Sequence, residues 1–253
     1  MRKNSFSIVI QIRNGSSRLP GKALLKYKKI TLIEIMLRRL LSKFKNNQLY
    51  LITTKLKQDD ILIKICKKLK IKTYRGYEDD VLKRYIKTAS LYKIANIVRL
   101  TGDCPLVDPI LIKKMLKQFF LKKLDYYSNC YPYTKRFFPV GSDVEIIKTK
   151  VLRYLYKTNP SSYEKEHVTT KILEYYKKFK CEIYKTKKNF SKLRYTLDYR
   201  KDYKVIIKIL KYLDKKNIFG TYRQIVKFLL KNPNLIKYNE KYVDIYYRTK
   251  ITG

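Results

Sequence analysis

Residues 11–25, QIRNGSSRLPGKALL, gather the groups that hold a polyphosphate. Arg13, Arg18 and Lys22 bring positive charge, and Ser16 and Ser17 bring hydroxyl donors. Gly15 and Gly21 let the backbone approach a ligand and turn its N–H groups toward phosphate oxygens. Arginine can grip two oxygens at once, and lysine acts as a point charge. The spacing is neither a Walker A loop nor GxGxxG. The plain alternative is an ordinary basic strand-to-helix loop; five donor side chains between residues 13 and 22 favour a phosphate cradle. A second group is acidic. Asp103 in VRLTGDCPLVDP and Asp198 in LRYTLDYRKD each follow a short β-rich run. Two carboxylates beside a polyphosphate suit Mg²⁺, a hard cation that takes one or two carboxylates, phosphates and waters. Either is equally a salt-bridge partner for the basic loop, and spacing alone leaves open whether the two meet.

These groups need a scaffold. Apolar, β-rich runs predict strands over 7–12, 48–53, 72–74 and 97–100, with amphipathic helices over 32–44, 59–69, 80–92 and 109–121. Successive βα units predict an α/β protein with a parallel sheet covered on both faces. Ligands of such sheets bind outside the carboxyl ends of the strands, where the basic loop and Asp103 fall. Segments 126–130, 143–147, 181–186 and 193–198 read as further strands. Helices are expected near 149–157, 165–177, 203–213 and 222–230. No repeat, low-complexity linker or boundary divides the chain, so one mixed α/β domain over 1–253 is expected.

The net charge of +40 argues at face value for nucleic acid. Composition argues otherwise. Lysine supplies 46 of the 60 cations, beside 25 tyrosines, three alanines and no tryptophan. Lys, Tyr, Ile and Asn have AT-rich codons, so coding bias explains the excess. The lysines are spread through every expected helix, which reads as solvated faces; nucleic acid is not an expected partner. Hydrophobic residues are 45% of the chain, enough for a folded core. No apolar run nears the roughly 18–20 residues that span a bilayer, so no membrane partner is expected. The start, MRKNSFSIVIQIRN, is too short in its apolar part for a signal peptide and carries Gln11. A cytoplasmic protein is expected. Cys66, Cys104, Cys130 and Cys181 form no CxxC pair and read as small buried thiols. His167 is the only histidine, and a lone histidine is more often structural than a general base.

Six segments in order, IVIQIRNGSSRLPGKALL, YRGYEDDVLKRY, VRLTGDCPLVDP, DYYSNCYPYTKRFFPVGSDVEII, EKEHVT and LRYTLDYRKD, resemble the cytidylyltransferases of the spore-coat polysaccharide family. These are relatives of the enzymes that make CMP-activated sialic and octulosonic acids. The likeness runs from about residue 6 to about 213, and RLPGK with TGDCPL is its most specific pair. It implies a nucleotide-diphospho-sugar transferase fold, three-layer α/β/α with a mixed, mainly parallel sheet. It implies CTP, Mg²⁺ and a sugar-acid-like acceptor. It divides the chain into a nucleotide-binding half, about 1–122, and an acceptor and dimer half, about 123–253. The family's triphosphate residues match Arg13, Gly15, Ser16, Ser17, Arg18 and Lys22. Gln11, Ile12 and Thr101 fall where relatives read the base, and Asp103 and Asp198 match the metal carboxylates. Arg18, Lys22, Asp103 and Asp198 are the implied catalytic set; Asp143, Glu145 and His167 match acceptor-side positions. Ile12 stands where the family usually has Ala, Lys165 for Arg, and Thr170 for Pro. The implied reaction is attack of an acceptor oxygen on the α-phosphorus of CTP with loss of pyrophosphate. Alternatives are another nucleotide, a phosphate or phosphonate acceptor, a non-catalytic scaffold, or a nucleic-acid-binding protein. Relatives are commonly homodimers, and the tyrosine-rich 126–136 segment reads as contact surface.

Overall fold

Alternation along the first strand decides the layering. In β1 (Ser7–Gln11), Ile8 and Ile10 face one apolar cluster and Val9 faces another, all three fully buried. A strand apolar on both faces needs cover on both sides. The computed structural model describes residues 5–243, so the expected domain limits of 1–253 reach past both ends of the described chain.

A two-stranded ribbon, β2 (Lys26–Tyr27) with β3 (Ile30–Thr31), leads into the first helix. The main sheet joins β1 to β4 (Leu49–Thr54), β5 (Lys72–Gly76), β6 (Asn96–Thr101), β7 (Tyr126–Ser128), β8 (Glu145–Lys148) and β9 (Cys181–Ile183), in the order β5–β4–β1–β6–β8–β7–β9. Pairing is parallel from β5 to β6, antiparallel where β8 meets β6 and β7, and parallel again at β7–β9. On the Ile8 face lie α1 (Leu32–Leu41), α2 (Asp60–Lys68), α4 (Pro109–Leu121), α7 (Arg200–Lys215) and α8 (Tyr222–Leu230). On the Val9 face lie α3 (Val81–Leu91) and α5 (Thr149–Lys157). Two short helices, α6 (Ser162–His167) and α9 (Pro233–Asn239), complete the described chain. The three-layer, mainly parallel architecture is the expected one. No described helix is long and apolar enough to cross a membrane.

Three expectations are corrected. Residues 193–198 are not a strand: they make one parallel bridge, Val140 with Arg194, and their backbone then turns to the β6 loop, where Leu197 N–H donates to Asp103 O at 2.8 Å. The partner segment forbids a longer ladder. Pro139 has no N–H to give, and Gly141 sits at φ +110°, where a Cβ would stand 2.5 Å from Thr196 N. The helix expected over 165–177 breaks at Val168, which takes φ +69°, before a 3₁₀ stretch at Thr170–Tyr175. Tertiary bonds hold the break: Thr169 Oγ1 donates to Glu145 at 2.6 Å, and Tyr131 OH to Thr170 O at 2.6 Å. Tyr126 and Tyr127, expected as contact surface, are instead buried within the chain.

Asp108 joins two helices of one layer. Its Oδ1 accepts from Ile110 N at 2.8 Å at the start of α4, and its Oδ2 from Tyr222 N at 3.0 Å at the start of α8. Asp108→Ala leaves two N–H groups at helix starts without acceptors. We expect a loss of about 2–4 kcal/mol in urea unfolding at neutral pH; a loss below about 0.5 kcal/mol would show that the double cap is not needed.

Candidate active site

The chain runs outward from β1 to β4 to β5, then returns to place β6 on the other side of β1. Strand order therefore reverses between β1 and β6, and a crevice opens over their carboxyl ends. Residues 12–22 leave β1 into it. A buried carboxylate missed in the sequence pins their start: Asp59, ahead of α2, accepts from Asn14 N at 2.7 Å. It also accepts from Thr53 Oγ1 at 2.7 Å, Thr54 Oγ1 at 2.5 Å and Thr54 N at 3.1 Å. Burial pushes the Asp59 carboxyl up, but these donors outweigh it and hold the group below its ordinary value. Gly21, at φ +69°, turns the chain so that Lys22 begins a 3₁₀ turn facing the cleft.

Lys22 answers whether the two carboxylates meet. Its Nζ lies 2.8 Å from Asp198 Oδ1 and 3.3 Å from Asp103 Oδ2, so both oxygens lie within reach of one cation. Arg18 Nη2 reaches the same Asp198 oxygen at 3.0 Å. Behind them Arg194 bonds the other Asp198 oxygen at 3.1 Å and holds Asp202 through Nη2 and Nε at 2.7 and 2.9 Å. Asp202 in turn accepts from the backbone N–H of Asp198 and of Tyr199, each at 3.0 Å, and from Asn239 Nδ2 at 2.9 Å. Arg194 and Asp202, four residues either side of Asp198, were also missed; the LRYTLDYRKD spacing was their signal. Burial would push the Asp198 carboxyl up, but Lys22, Arg18 and Arg194 overcome it and hold the group far below the usual carboxylate range. Burial likewise opposes the Lys22 charge, and Asp103 and Asp198 restore and raise it.

The cleft has a volume of about 290 Å³, and every candidate from the sequence lines it except Gly15. Gly15 lies against Gln58, whose Nε2 would stand 2.6 Å from a Cβ there. Gln11 Oε1 is buried without a hydrogen-bond partner. Ile12 fills the space beside Gly102: a Cβ on Gly102 would come within 2.3 Å of Ile12 Cδ1, so the bulky residue at 12 depends on glycine at 102. Ser16, Ser17 and Thr101 line the same wall. Arg13 spans the rim, bonding Glu78 at 2.5 Å and lying 3.8 Å from Glu166 of α6.

The acceptor-side candidates are already engaged. Glu145 on β8 is buried, ion-paired with Arg99 directly across the ladder on β6, and accepts from Tyr126 OH and Thr169 Oγ1 at 2.6 Å each. Asp143 pairs with Arg136 and accepts from Gly141 N at 3.1 Å. His167 ends α6 with its ring 4.2 Å from that of Tyr163. Glu145, Asp143 and His167 all line the cleft, and the two carboxylates are already paired with arginines.

Five cationic and five carboxylate side chains line the cleft, so the chain's lysine surplus lies outside it. Among the described residues no group of three or more His, Cys, Asp or Glu is placed to hold a metal. The donor set nonetheless fits a hard cation, because two carboxylate oxygens already converge on one ammonium and such cations take remaining ligands from phosphates and water.

Residues 7–241 match the cytidylyltransferase family. The chain belongs to that family. A cytidylyltransferase from Leptospira borgpetersenii superposes with a TM-score of 0.85 at 33% identity, over 91% of this chain and 96% of that one. The spore coat polysaccharide biosynthesis protein SpsF of Bacillus subtilis is 31% identical over 211 residues, 80% of this chain and 85% of SpsF. A CMP:2-keto-3-deoxy-manno-octonic acid synthetase solved with CTP shares the fold, with a TM-score of 0.60 at 15% identity over 81% of this chain and 98% of that one. The cytidylyltransferase is therefore a nucleotidyltransferase of the nucleotide-diphospho-sugar transferase fold, as the resemblance implied.

The charge state of Asp198 carries a pH signature in this cytidylyltransferase. Folding favours the ionised form, so its stabilisation is complete above the unfolded carboxyl value of about 3.9 and is lost as pH falls through the depressed folded value. The stability difference between wild type and Asp198→Asn should stay level from about pH 8 to about pH 5 and shrink below about pH 4 in urea unfolding. A difference that grows with acid would contradict the ion pairs.

Proposed function

We propose that this enzyme joins CMP from CTP to a sugar acid or related acceptor, releasing pyrophosphate, in the building of a cell-surface polysaccharide or glycan. The observation that carries the reading is the convergence of Asp103 and Asp198 on Lys22 beside the glycine- and serine-containing loop. Family membership supports cytidylyl transfer, SpsF supports the polysaccharide setting, and the octonic acid synthetase supports a sugar acid.

In this reading the triphosphate lies along residues 13–22. Ser16, Ser17 and the backbone N–H groups after Gly15 donate to its oxygens, and Arg13, Arg18 and Lys22 supply charge. Gln11, Ile12 and Thr101 face the base; the unpartnered Gln11 Oε1 is an acceptor for an exocyclic amine such as that of cytosine. Asp103 and Asp198 hold Mg²⁺, which when bound supplies charge neutralisation at the α-phosphate. An acceptor oxygen forms a bond to the α-phosphorus in line as the bond to the bridging oxygen of pyrophosphate breaks, and the proton of an attacking hydroxyl leaves to solvent. Arg18 and Lys22 offset the charge that gathers on that leaving group. Asp143, Glu145 and His167 line the acceptor side. We read residues 1–253 as one unit, nucleotide half about 1–122 and acceptor half about 123–253, acting in the cytoplasm where its substrates are dissolved. A homodimer belongs to the same reading, supported by the sheet edge at β9 and the exposed Leu173 and Tyr176.

The test offers Mg²⁺, each nucleoside triphosphate in turn and a panel of sugar acids, sugar phosphates and phosphonates. Pyrophosphate released from CTP with a sugar acid is the expected result. Release only from another nucleotide, only with a phosphate or phosphonate, or no turnover with any pair would contradict the reading. Asp103→Asn and Asp198→Asn should each lower kcat/KM about 100-fold or more without unfolding the protein. Because one ion needs both, the double variant should be little worse than the poorer single one. Multiplicative losses would contradict a shared ion.

A further inference from the structure

The ammonium of Lys22 and a divalent cation require the same two oxygens. Lys22 Nζ is hydrogen-bonded to Asp198 Oδ1 and to Asp103 Oδ2. A Mg²⁺ or Mn²⁺ ion held by both carboxylates sits about 2.1 Å from its oxygens and repels a positive charge at hydrogen-bond distance from them. Arg18 also donates to Asp198 Oδ1 and Arg194 to Oδ2, so three cations already face Asp198 and oppose a fourth while Lys22 is in place. Of these three cations, Lys22 bridges the two carboxylates. Arg194 is fixed from behind by Asp202, whereas Lys22 carries its charge on a flexible four-carbon stem that starts beside the phosphate loop.

We propose that Lys22 is an exchangeable counter-ion that makes metal binding conditional on the nucleotide. The inference rests on the reading of Asp103 and Asp198 as the metal pair. With no polyphosphate on the loop, Lys22 neutralises the pair and keeps divalent cations out. A triphosphate along residues 13–22 draws the ammonium onto its own oxygens, and the carboxylates are released to the ion that the phosphates also bind. Lys22 thus serves two partners in turn, and by linkage the metal must strengthen nucleotide binding by the same factor by which the nucleotide strengthens metal binding. The arrangement also accounts for two carboxylates standing side by side: they share a cation built into the chain.

The test is Mn²⁺ binding to the nucleotide-free protein, read from the electron paramagnetic resonance of free Mn²⁺, with thermal melting as the check on folding. Wild type should bind weakly. Lys22→Met, which keeps the unbranched stem and removes the charged end, should bind one Mn²⁺ at least about tenfold more tightly. Adding Asp198→Asn to it should abolish the gain. Lys22→Gln serves in the same way if the methionine variant does not fold. Wild type with CTP should take up Mn²⁺ beyond what the same CTP holds without protein, and lose this excess with Asp198→Asn. If that holds but neither Lys22 variant binds Mn²⁺ more tightly than nucleotide-free wild type, the exchange is wrong while the metal pair stands. If wild type with CTP takes up no such excess, the metal pair fails and the exchange fails with it.

Discussion

Asp198 is buried among three cations, and much of the fold serves that one charge. A carboxylate taken out of water is costly unless its oxygens are paired and bonded. Lys22 and Arg18 come from the loop after β1, and Arg194 comes from the same segment as Asp198 itself. A cation removed without a replacement strands charge in a low-dielectric place, and the residues behind the cleft are arranged to hold Arg194. Asp202 fixes Arg194 and the backbone N–H groups of Asp198 and Tyr199, and Asn239 of α9 closes over Asp202. The last described helix is therefore tied to the cleft, as is the stacked pair Tyr199 and Tyr242, whose rings lie 3.9 Å apart.

The reversal of strand order between β1 and β6 opens the crevice, and the close approach of the 139–141 and 193–198 segments delivers Asp198 to it. That approach depends on Gly141, because a side chain there would meet the backbone of Tyr195 and Thr196. Gly102 plays the matching part on the other wall by leaving room for Ile12. Two of the few glycines in a chain biased away from them thus sit where backbone packing shapes the cleft.

The first half was legible in the sequence because its signals are local. Apolar runs such as Ser7–Gln11 and Leu49–Thr54, each followed by an amphipathic helix, dictate parallel βα units with little help from the rest of the chain. The basic loop that lines the cleft was legible for the same reason: five donor side chains stand within ten residues. The second half was harder because distant contacts decide it. Residues 193–198 alternate like a strand, yet Pro139 and Gly141 limit their pairing to one bridge. Residues 165–177 have helical periodicity, yet the bonds of Thr169 to Glu145 and of Tyr131 to Thr170 break the helix at Val168. Asp59 was missed because nothing near it in sequence shows that it will anchor Asn14, 45 positions away. The charge of +40 was the loudest feature of the composition and the least informative about the site, since the cleft lining is balanced.

The central claim is that Asp103 and Asp198 form one cation site whose built-in occupant, Lys22, yields to nucleotide and metal together. A crystal structure with Mn²⁺ and a non-hydrolysable CTP analogue, phased to show the anomalous signal of manganese, tests it most directly. The account predicts an ion between Asp103 and Asp198, the triphosphate along residues 13–22, and the Lys22 ammonium on a phosphate oxygen. Manganese bound away from the two carboxylates, or Lys22 still bridging them with the analogue in place, would contradict it.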